Sequence, residues 1–208
     1  MQVFIVYAHP SEDSFTHEAL DSFIAGLQSA GHSYIISDLY KMNFITDMSA
    51  SEYQREAYYR KEMPVPDDVI NEQEKINSSG AIVFIFPLFW SDAPAKLVGW
   101  FDRVFTYGFA YGENRAMKQL EKGLVLCCAG NTIEYFHDTG ILGALEKIML
   151  QDRLFDRVKE KELIILDGTS RESPLREQNR QKNLKRAFNA AIEIGKSNPQ
   201  VTASQTCM

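Results

Sequence analysis

The sequence lacks the features of a membrane or secreted protein. None of its apolar runs approaches the ~20 residues that a membrane-spanning helix needs. The first residues enter a strand pattern without the basic stretch of a secretory signal. A net charge of −6 argues against nucleic acid or an anionic membrane as the main partner. We therefore expect a soluble, cytoplasmic protein that binds a small molecule.

Cysteine and histidine are both scarce. Three cysteines do not form the framework of a disulfide-stabilised domain. Cys127 and Cys128 are neighbours in a strand pattern, where we expect small buried side chains on opposite faces; a redox disulfide between them is the alternative. The four histidines stand singly, so no metal-binding spacing appears and we predict no metal site.

Several catalytic motifs are missing as well. The chain contains neither the GxxxxGK[ST] phosphate loop nor the GxGxxG fingerprint, which indicates neither a nucleoside triphosphate site nor a conventional dinucleotide site. The GxSxG elbow of serine hydrolases is also absent. Because Cys127 and Cys128 have no adjacent histidine, a thiolate nucleophile is not expected.

The stretch from Ala81 to Phe105 shows best what the chain does contain. Its first residues, AIVFIF, form the continuous apolar run of a strand that is buried on both faces of a parallel sheet. Pro87 ends this run, and Pro94 fits the first turn of a helix. The following apolar residues recur at helical spacing: Leu97, Val98, Phe101, Val104 and Phe105. The aromatic loop between them therefore lies at the carboxyl end of a strand, where open α/β sheets bind ligands.

The rest of the chain repeats this strand and helix alternation. Further strands are predicted over Gln2 to Tyr7, Ser33 to Ser37, Leu124 to Cys128 and Lys161 to Leu166. Helices are predicted over Thr16 to Ala30, Asp67 to Ser78 and Leu142 to Leu150, and Ser173 and Pro174 open a last one. This order predicts an α/β flavodoxin-like fold: a doubly wound, five-stranded parallel sheet in the order 2-1-3-4-5, with helices on both faces. Residues 1–195 form the single domain and residues 196–208 a polar tail.

Two segments do not fit the simple alternation. The connection from Asp38 to Pro66 is far longer than usual, so we predict a small helix over Ser51 to Tyr59, capped by Ser49 or Ser51. The segment from Thr106 to Lys122 is rich in glycine and aromatic residues, which indicates a loop near a functional site.

Three loops converge at the carboxyl edge of the predicted sheet: Ala8 to Thr16, Pro87 to Ser91 and Ala129 to Asn131. The first loop opens a helix, whose free amides bind anions, and Ser14, Thr16 and His9 add polar groups. The simpler interpretation is that Ser14 or Thr16 only caps the helix. The other loops are lined by aromatic residues. An anion site beside a flat apolar surface suits a flavin mononucleotide (FMN) or its dinucleotide form (FAD).

A basic cluster precedes and follows the start of the last helix: Arg171, Arg176, Arg180, Lys182, Lys185 and Arg186. We expect a solvated helix face, with contact to a phosphate-bearing ligand as the alternative.

Four sequence segments, in order, resemble the NAD(P)H:quinone oxidoreductase family. Ala8-His9-Pro10 with Ser14-Phe15 resembles the family's AHPxxxSF phosphate loop. The run from Phe86 to Trp90 resembles the FPLxW part of its FPLxW…PAxLKGWxDRVF signature. The PA and GWFDRVF that follow resemble the second part of that signature. Gly108 to Gly112 resembles its GFAYG segment. This family includes quinone reductases and the ancillary oxidoreductase subunits of bacterial potassium-efflux systems.

The resemblance implies a role for each matching residue. A flavin phosphate and ribityl chain would be surrounded by His9, Ser14, Phe15 and Thr16. The isoalloxazine would be held, largely through backbone amides, by Pro87, Leu88, Phe89, Trp90 and Ser91. Tyr111 would line the nicotinamide and quinone pocket, with the partner subunit of a homodimer as a possible source.

The fourth loop departs from the family pattern. The family has TTGG where this chain reads Cys128-Ala129-Gly130-Asn131, so Gly130 and Asn131 retain backbone amides while two threonine hydroxyls are lost. In the family, a tyrosine and a histidine beyond this loop stabilise charge on the reduced flavin. Tyr135 and His137 lie in the matching region and are the candidate catalytic residues, although the register is open by one residue.

These observations predict an NAD(P)H dehydrogenase (quinone) that works through a bound flavin. Hydride passes from NAD(P)H through flavin N5 to a quinone, or to a nitro- or azo-aromatic, in a ping-pong reaction. FMN is preferred over FAD. One alternative is a regulatory flavoprotein subunit with a transporter as partner, and another is a flavodoxin-type electron carrier. The sequence leaves NADH versus NADPH and the physiological acceptor open.

Overall fold

The computed structural model describes residues 1–174 and 176–196. A five-stranded, fully parallel sheet in the order β2-β1-β3-β4-β5 forms its centre. The strands are β1 (Gln2–Tyr7), β2 (Ser33–Asp38), β3 (Ala81–Pro87), β4 (Leu120–Cys128) and β5 (Val158–Leu166). The predicted fold class and strand order are confirmed. Most of the predicted 196–208 tail lies outside the described residues.

Helices cover both faces of the sheet. They are α1 (Phe15–Ser29), α2 (Ala50–Ala57), α3 (Asp67–Ser78), α4 (Ala95–Val104), α5 (Ile133–Asp138), α6 (Ile141–Glu146), a π-helix (Lys147–Leu154) and α7 (Arg176–Glu193). The small helix predicted in the long connection is α2. Ser49 is its N-cap and makes a capping box with Glu52, which satisfies amides at the helix start.

Successive residues of each strand point to opposite faces and build two cores. On one face, α1 and α7 pack over Val3, Ile5 and Val83. On the other face, the core contains Phe4 and Phe84 together with residues of α3 and α4.

The two neighbouring cysteines follow the same alternation. Cys127 belongs to the core that contains Phe84, and Cys128 to the opposite one. Both are free thiols, so the alternative of a disulfide between them is wrong.

Other boundaries differ from the predictions. The irregular segment predicted over Thr106 to Lys122 ends before Leu120, where β4 begins. Lys122 lies inside this strand: its backbone pairs with β5, and its side chain forms an ion pair with Glu162 at 3.1 Å. The predicted helix Leu142–Leu150 is split between α6 and the wider π-helix, whose winding the 3.6-residue period does not indicate. Within residues 1–174 and 176–196, no helix is both long and apolar enough to cross a bilayer.

Candidate functional site

An open cleft of about 790 Å³ lies above the carboxyl ends of β1, β3 and β4, next to the loop that follows β5. This position is the topological switch point, because the chain leaves β1 toward one side of the sheet and β3 toward the other. Eight of the predicted cofactor-binding residues line the cleft: His9, Ser14, Phe15, Thr16, Pro87, Leu88, Phe89 and Gly130. The structure thus brings together residues from all three predicted loops.

The first turn of α1 forms one wall of the cleft. Ser14 is the N-cap: its hydroxyl accepts the His17 N–H at 3.1 Å and donates to the Ser11 carbonyl at 3.0 Å. The capping interpretation is therefore correct for Ser14. Capping does not exclude anion binding, since the amides of Phe15 and Thr16 belong to the first-turn donors that have no partner within a helix.

His9 lies on the same wall, and its ring is tied to the loop. The Ser11 N–H lies 3.0 Å from His9 Nδ1, and the Ser11 carbonyl oxygen lies 2.8 Å from the same atom. Both contacts hold the ring against its own loop, and which of them is a hydrogen bond depends on the tautomer. Burial lowers the pKa of His9, so the ring is neutral at pH 7 and brings no full charge to the cleft.

The loop after β3 forms the apolar floor, but two of its backbone amides already donate hydrogen bonds within the protein. The Leu88 N–H donates to the Cys128 carbonyl at 2.8 Å, and the Phe89 N–H donates to the Asp92 carbonyl at 2.9 Å. These two residues therefore present side chains, rather than amide donors, to the cleft. The expectation that this loop holds a flavin ring, largely through backbone amides, stays a prediction.

Trp90 and Ser91 form the tip of a tight hairpin beside the floor. Phe89 and Asp92 exchange backbone hydrogen bonds, and φ is +52° at Trp90 and +62° at Ser91. Positive φ at both central positions defines a type I′ turn, which normally uses asparagine and glycine; Trp-Ser therefore holds backbone strain here. The Trp90 side chain is fully exposed, and neither residue lines the cleft.

The fourth loop contributes less than predicted. Gly130 reaches the cleft, whereas Asn131 is exposed outside it and its carbonyl accepts the Gly168 N–H at 3.0 Å. Tyr135 is 46% exposed on α5, and the His137 side chain is 80% exposed, with Nδ1 3.5 Å from an Asp138 carboxylate oxygen. Neither predicted catalytic residue lines the cleft of this chain.

Tyr111 also lies outside the cleft. Its phenol donates to Glu56 Oε2 at 2.9 Å, and its ring packs against Tyr107 with a centroid distance of 5.6 Å. The candidate substrate residue therefore belongs to a cluster formed by the GFAYG segment and α2.

Arg176, a member of the basic cluster for which contact with a phosphate-bearing ligand was the alternative, also lines the cleft. Its Nε is buried and has no hydrogen-bond partner within residues 1–174 and 176–196. Arg171 lies at the same rim, with its guanidinium 3.9 Å from the Asp13 carboxylate. The basic cluster in the sequence indicated this position, because two of its members, Arg171 and Arg176, line the cleft where a phosphate could bind. Lys182 and Lys185 are exposed, as expected of a solvated face.

Cys128 and Thr169 complete the lining and were not predicted. Burial raises the pKa of the Cys128 thiol to about 12, so it is not a thiolate nucleophile. The Thr169 hydroxyl donates to the Ala129 carbonyl at 2.9 Å and ties the loops after β4 and β5 together. In the described part of the chain, no group of three or more His, Cys, Asp or Glu residues is arranged to hold a metal ion.

Comparison with known proteins agrees with this geometry. Residues 1–190 match a protein-family profile described as having the flavodoxin-like fold. The structure resembles that of the NAD(P)H:quinone oxidoreductase from Methanothermobacter marburgensis, with 44% identity, a TM-score of 0.90 and coverage of 95% of this chain and 98% of that one.

Animal relatives are more distant. The chain is 31% identical over 161 residues to ribosyldihydronicotinamide dehydrogenase [quinone] of Pongo abelii, covering 68% of this chain and 69% of that protein. It is also 31% identical to NAD(P)H dehydrogenase [quinone] 1 of Cavia porcellus, covering 70% of this chain but spanning only 59% of that relative's length. On these matches, the chain belongs to the NAD(P)H:quinone oxidoreductase family with the flavodoxin-like fold.

Proposed function

We propose that this protein is a flavin-dependent NAD(P)H oxidoreductase that reduces quinones or similar flat electrophiles. One observation carries the proposal: a single cleft joins the first turn of α1 to an apolar floor formed by Leu88 and Phe89. A phosphate and a planar ring on one molecule require this combination of polar and apolar surface. Family membership supports the same activity.

Different residues of the cleft would hold the phosphate and the ring of the cofactor. The α1 amides and Arg176 would hold the phosphate, because together they provide hydrogen-bond donors and a positive charge in a partly buried place, while Ser14 caps the helix and fixes those amides. The neutral His9 ring would add a further polar group beside the phosphate. Pro87, Leu88 and Phe89 would cover one face of the ring and exclude water from it. FMN is the preferred cofactor and FAD the alternative.

When bound, the flavin supplies the hydride chemistry, accepting from NAD(P)H and donating to the quinone. The protein supplies orientation and fixed dipoles around the ring. Because one open cleft faces the ring, both substrates would occupy the same space in turn, which predicts ping-pong kinetics. This scheme needs no titrating acid–base pair in the cleft, in agreement with the neutral His9 and the neutral Cys128 thiol.

We further propose a homodimer in which Tyr111 of one copy faces the cleft of the other. Tyr111 lies outside its own cleft, and its ring continues through Tyr107 to Tyr59. Tyr59 is 63% exposed, and Tyr53 and Tyr58 on the same segment are equally accessible. Exposed aromatic side chains grouped in this way are typical of an interface. Tyr135 and His137 stay hypotheses for residues that act on the ring.

An absorption spectrum tests the central proposal. The purified protein is mixed with FMN or FAD, excess flavin is removed, and NADPH is added without oxygen. We expect retained flavin bands that bleach on NADPH and return when menadione is added. Failure to retain either flavin would overturn the proposal. Retained flavin that NADPH does not bleach would instead favour the electron carrier or the regulatory subunit.

A further inference from the structure

Glu56 is the point at which α2 meets the aromatic segment 106–112. One carboxylate oxygen, Oε2, accepts both the Tyr107 N–H at 2.7 Å and the Tyr111 hydroxyl at 2.9 Å. The other oxygen pairs with the Arg55 guanidinium at 2.5 Å. The Glu56 side chain is only 14% exposed, so these partners replace most of its contact with water. Hydrogen bonds to a carboxylate in such a place are stronger than those between neutral groups.

The neighbouring residues reinforce this arrangement. Arg55 donates to the Tyr107 carbonyl at 3.2 Å and to the Met63 carbonyl at 3.2 Å. Glu56 and Arg55 of α2 therefore hydrogen-bond to the N–H and the carbonyl of Tyr107, respectively. Gly112 has φ +90°, and a Cβ there would lie 2.5 Å from the Tyr107 ring, so the segment fits closely around that ring.

The hydrogen bond to Glu56 decides how Tyr111 can act. A phenol has a single proton, and here it is donated to Glu56, so it is not available to a substrate. Burial, together with Glu56, raises the pKa of Tyr111, which keeps the phenol protonated. Tyr111 can therefore offer a ligand its ring, in one fixed orientation, and its phenol oxygen as an acceptor only.

We propose that Glu56 is a positioning residue that orients the Tyr111 ring for the acceptor substrate. This inference rests on the proposed function, since it assumes that Tyr111 meets the quinone. Glu56 itself does not contact substrate or flavin in this proposal. It acts only through the hydrogen bond from Tyr111, so removing either partner should have the same consequence.

The test compares Glu56→Gln, Tyr111→Phe and the double variant, with Glu62→Gln as the matched control on an exposed glutamate of the same segment. We expect each single variant to raise KM for menadione about 3- to 10-fold, the effect of one lost orienting contact. Glu62→Gln should keep the wild-type KM, because Glu62 is exposed. The double variant should match the single ones, because both remove the same interaction.

A second readout uses the protein without flavin. Phenolate absorbance at 295 nm is followed against pH, and the Tyr111 contribution is identified by subtracting the Tyr111→Phe curve. Since Glu56 stabilises the protonated phenol, Tyr111 should ionise at lower pH in Glu56→Gln than in the wild type, whereas Glu62→Gln should leave it unchanged.

The outcomes separate the two proposals. If the wild type reduces menadione but both single variants keep its KM, the role of Glu56 is overturned while the proposed function stands. Effects that multiply in the double variant would also overturn it, because Glu56 would then act independently of Tyr111. A wild type that retains flavin but does not reduce any quinone would overturn the proposed function itself.

Discussion

The two faces of the sheet are stabilised by different means. The face under α1 and α7 is packed by aliphatic and aromatic side chains, with close backbone approach between the two helices. The opposite face, under α3 and α4, has charged groups built into its core. Glu72 is fully buried there and accepts hydrogen bonds from Trp100 Nε1 and Ser37 Oγ, both at 2.8 Å.

Arg103 extends this polar network on α4. It donates to Glu52 at 2.8 Å, to Asp68 at 2.6 Å and to the Ile45 carbonyl at 2.6 Å. These partners all lie in or next to the long connection between β2 and α3. The comparison shows why the charges are there: apolar area is sufficient to pack two regular helices, whereas an irregular connection has backbone groups and turns that need specific partners. The same connection carries α2 and thus Glu56.

Replacing Arg103 should cause the largest loss of stability. Arg103→Met leaves Glu52 and Asp68 without their cation, and breaking a buried ion network in this way costs about 3–5 kcal/mol. Urea unfolding measures the change. Arg60→Met serves as control, because Arg60 is exposed and should change stability by less than about 0.5 kcal/mol. Equal effects of the two variants would show that the network does not stabilise this face.

On the face under α1 and α7, a charged side chain at the start of α7 reaches the cleft. Arg176→Gln should weaken FMN binding about 10- to 150-fold, since a charge-assisted hydrogen bond contributes about 1.5–3 kcal/mol. Fluorescence titration of the apoprotein with FMN gives the dissociation constant. Lys185→Gln on the exposed side of the same helix is the matched control and should bind FMN normally. The same affinity in both variants would remove Arg176 from the phosphate site.

Close packing on the apolar face can be tested at Gly26. A Cβ at this position would lie 2.3 Å from the Phe188 carbonyl oxygen, so Gly26→Ala must push α1 and α7 apart. We expect a loss of about 1–3 kcal/mol in the free energy of unfolding. Gly143→Ala is the control, because its Cβ meets nothing within 4 Å and a helical alanine is favoured by about 1 kcal/mol. A stabilising Gly26→Ala would contradict the close approach.

The two serine N-caps allow the smallest and cleanest comparison. Ser14→Ala and Ser49→Ala each remove one capping bond, so each should cost about 0.5–2 kcal/mol of stability. Only Ser14 lines the cleft, and therefore only Ser14→Ala should also weaken FMN binding. Denaturant unfolding and FMN titration of both variants separate the two effects. A matching loss of FMN affinity in Ser49→Ala would mean that stability, not contact, controls binding.

Many strands and helices could be predicted from the sequence, because they depend on neighbouring residues and on a regular side-chain period. The bounds of β1 and α3 agree with the predictions, since a bounded apolar run and a helical period are properties of neighbouring residues. The site was also largely predictable: loops at the carboxyl ends of parallel strands must meet at one edge, which brings His9, Ser14 and Leu88 into one cleft.

The exceptions have physical reasons. Trp90 and Ser91 were assigned to the ring, but they form the tip of a type I′ turn beside the cleft and do not line it, and nothing in a Trp-Ser pair indicates positive φ. The Arg176 side chain lines the cleft because α7 begins next to it, and a pattern of charges in the sequence does not predict where a helix begins relative to a cleft.

The sequence by itself determined the order of the strands, the main helices between them and the three loops that form the cleft. These follow from side-chain period, proline and the chirality of parallel connections. Only the tertiary structure decided which donors remain available and which distant groups pair. Glu56 and Tyr111 are 55 positions apart, and their contact depends on how a whole connection folds back over α4. Long-range polar pairing has no period, so it becomes visible only when the chain is folded.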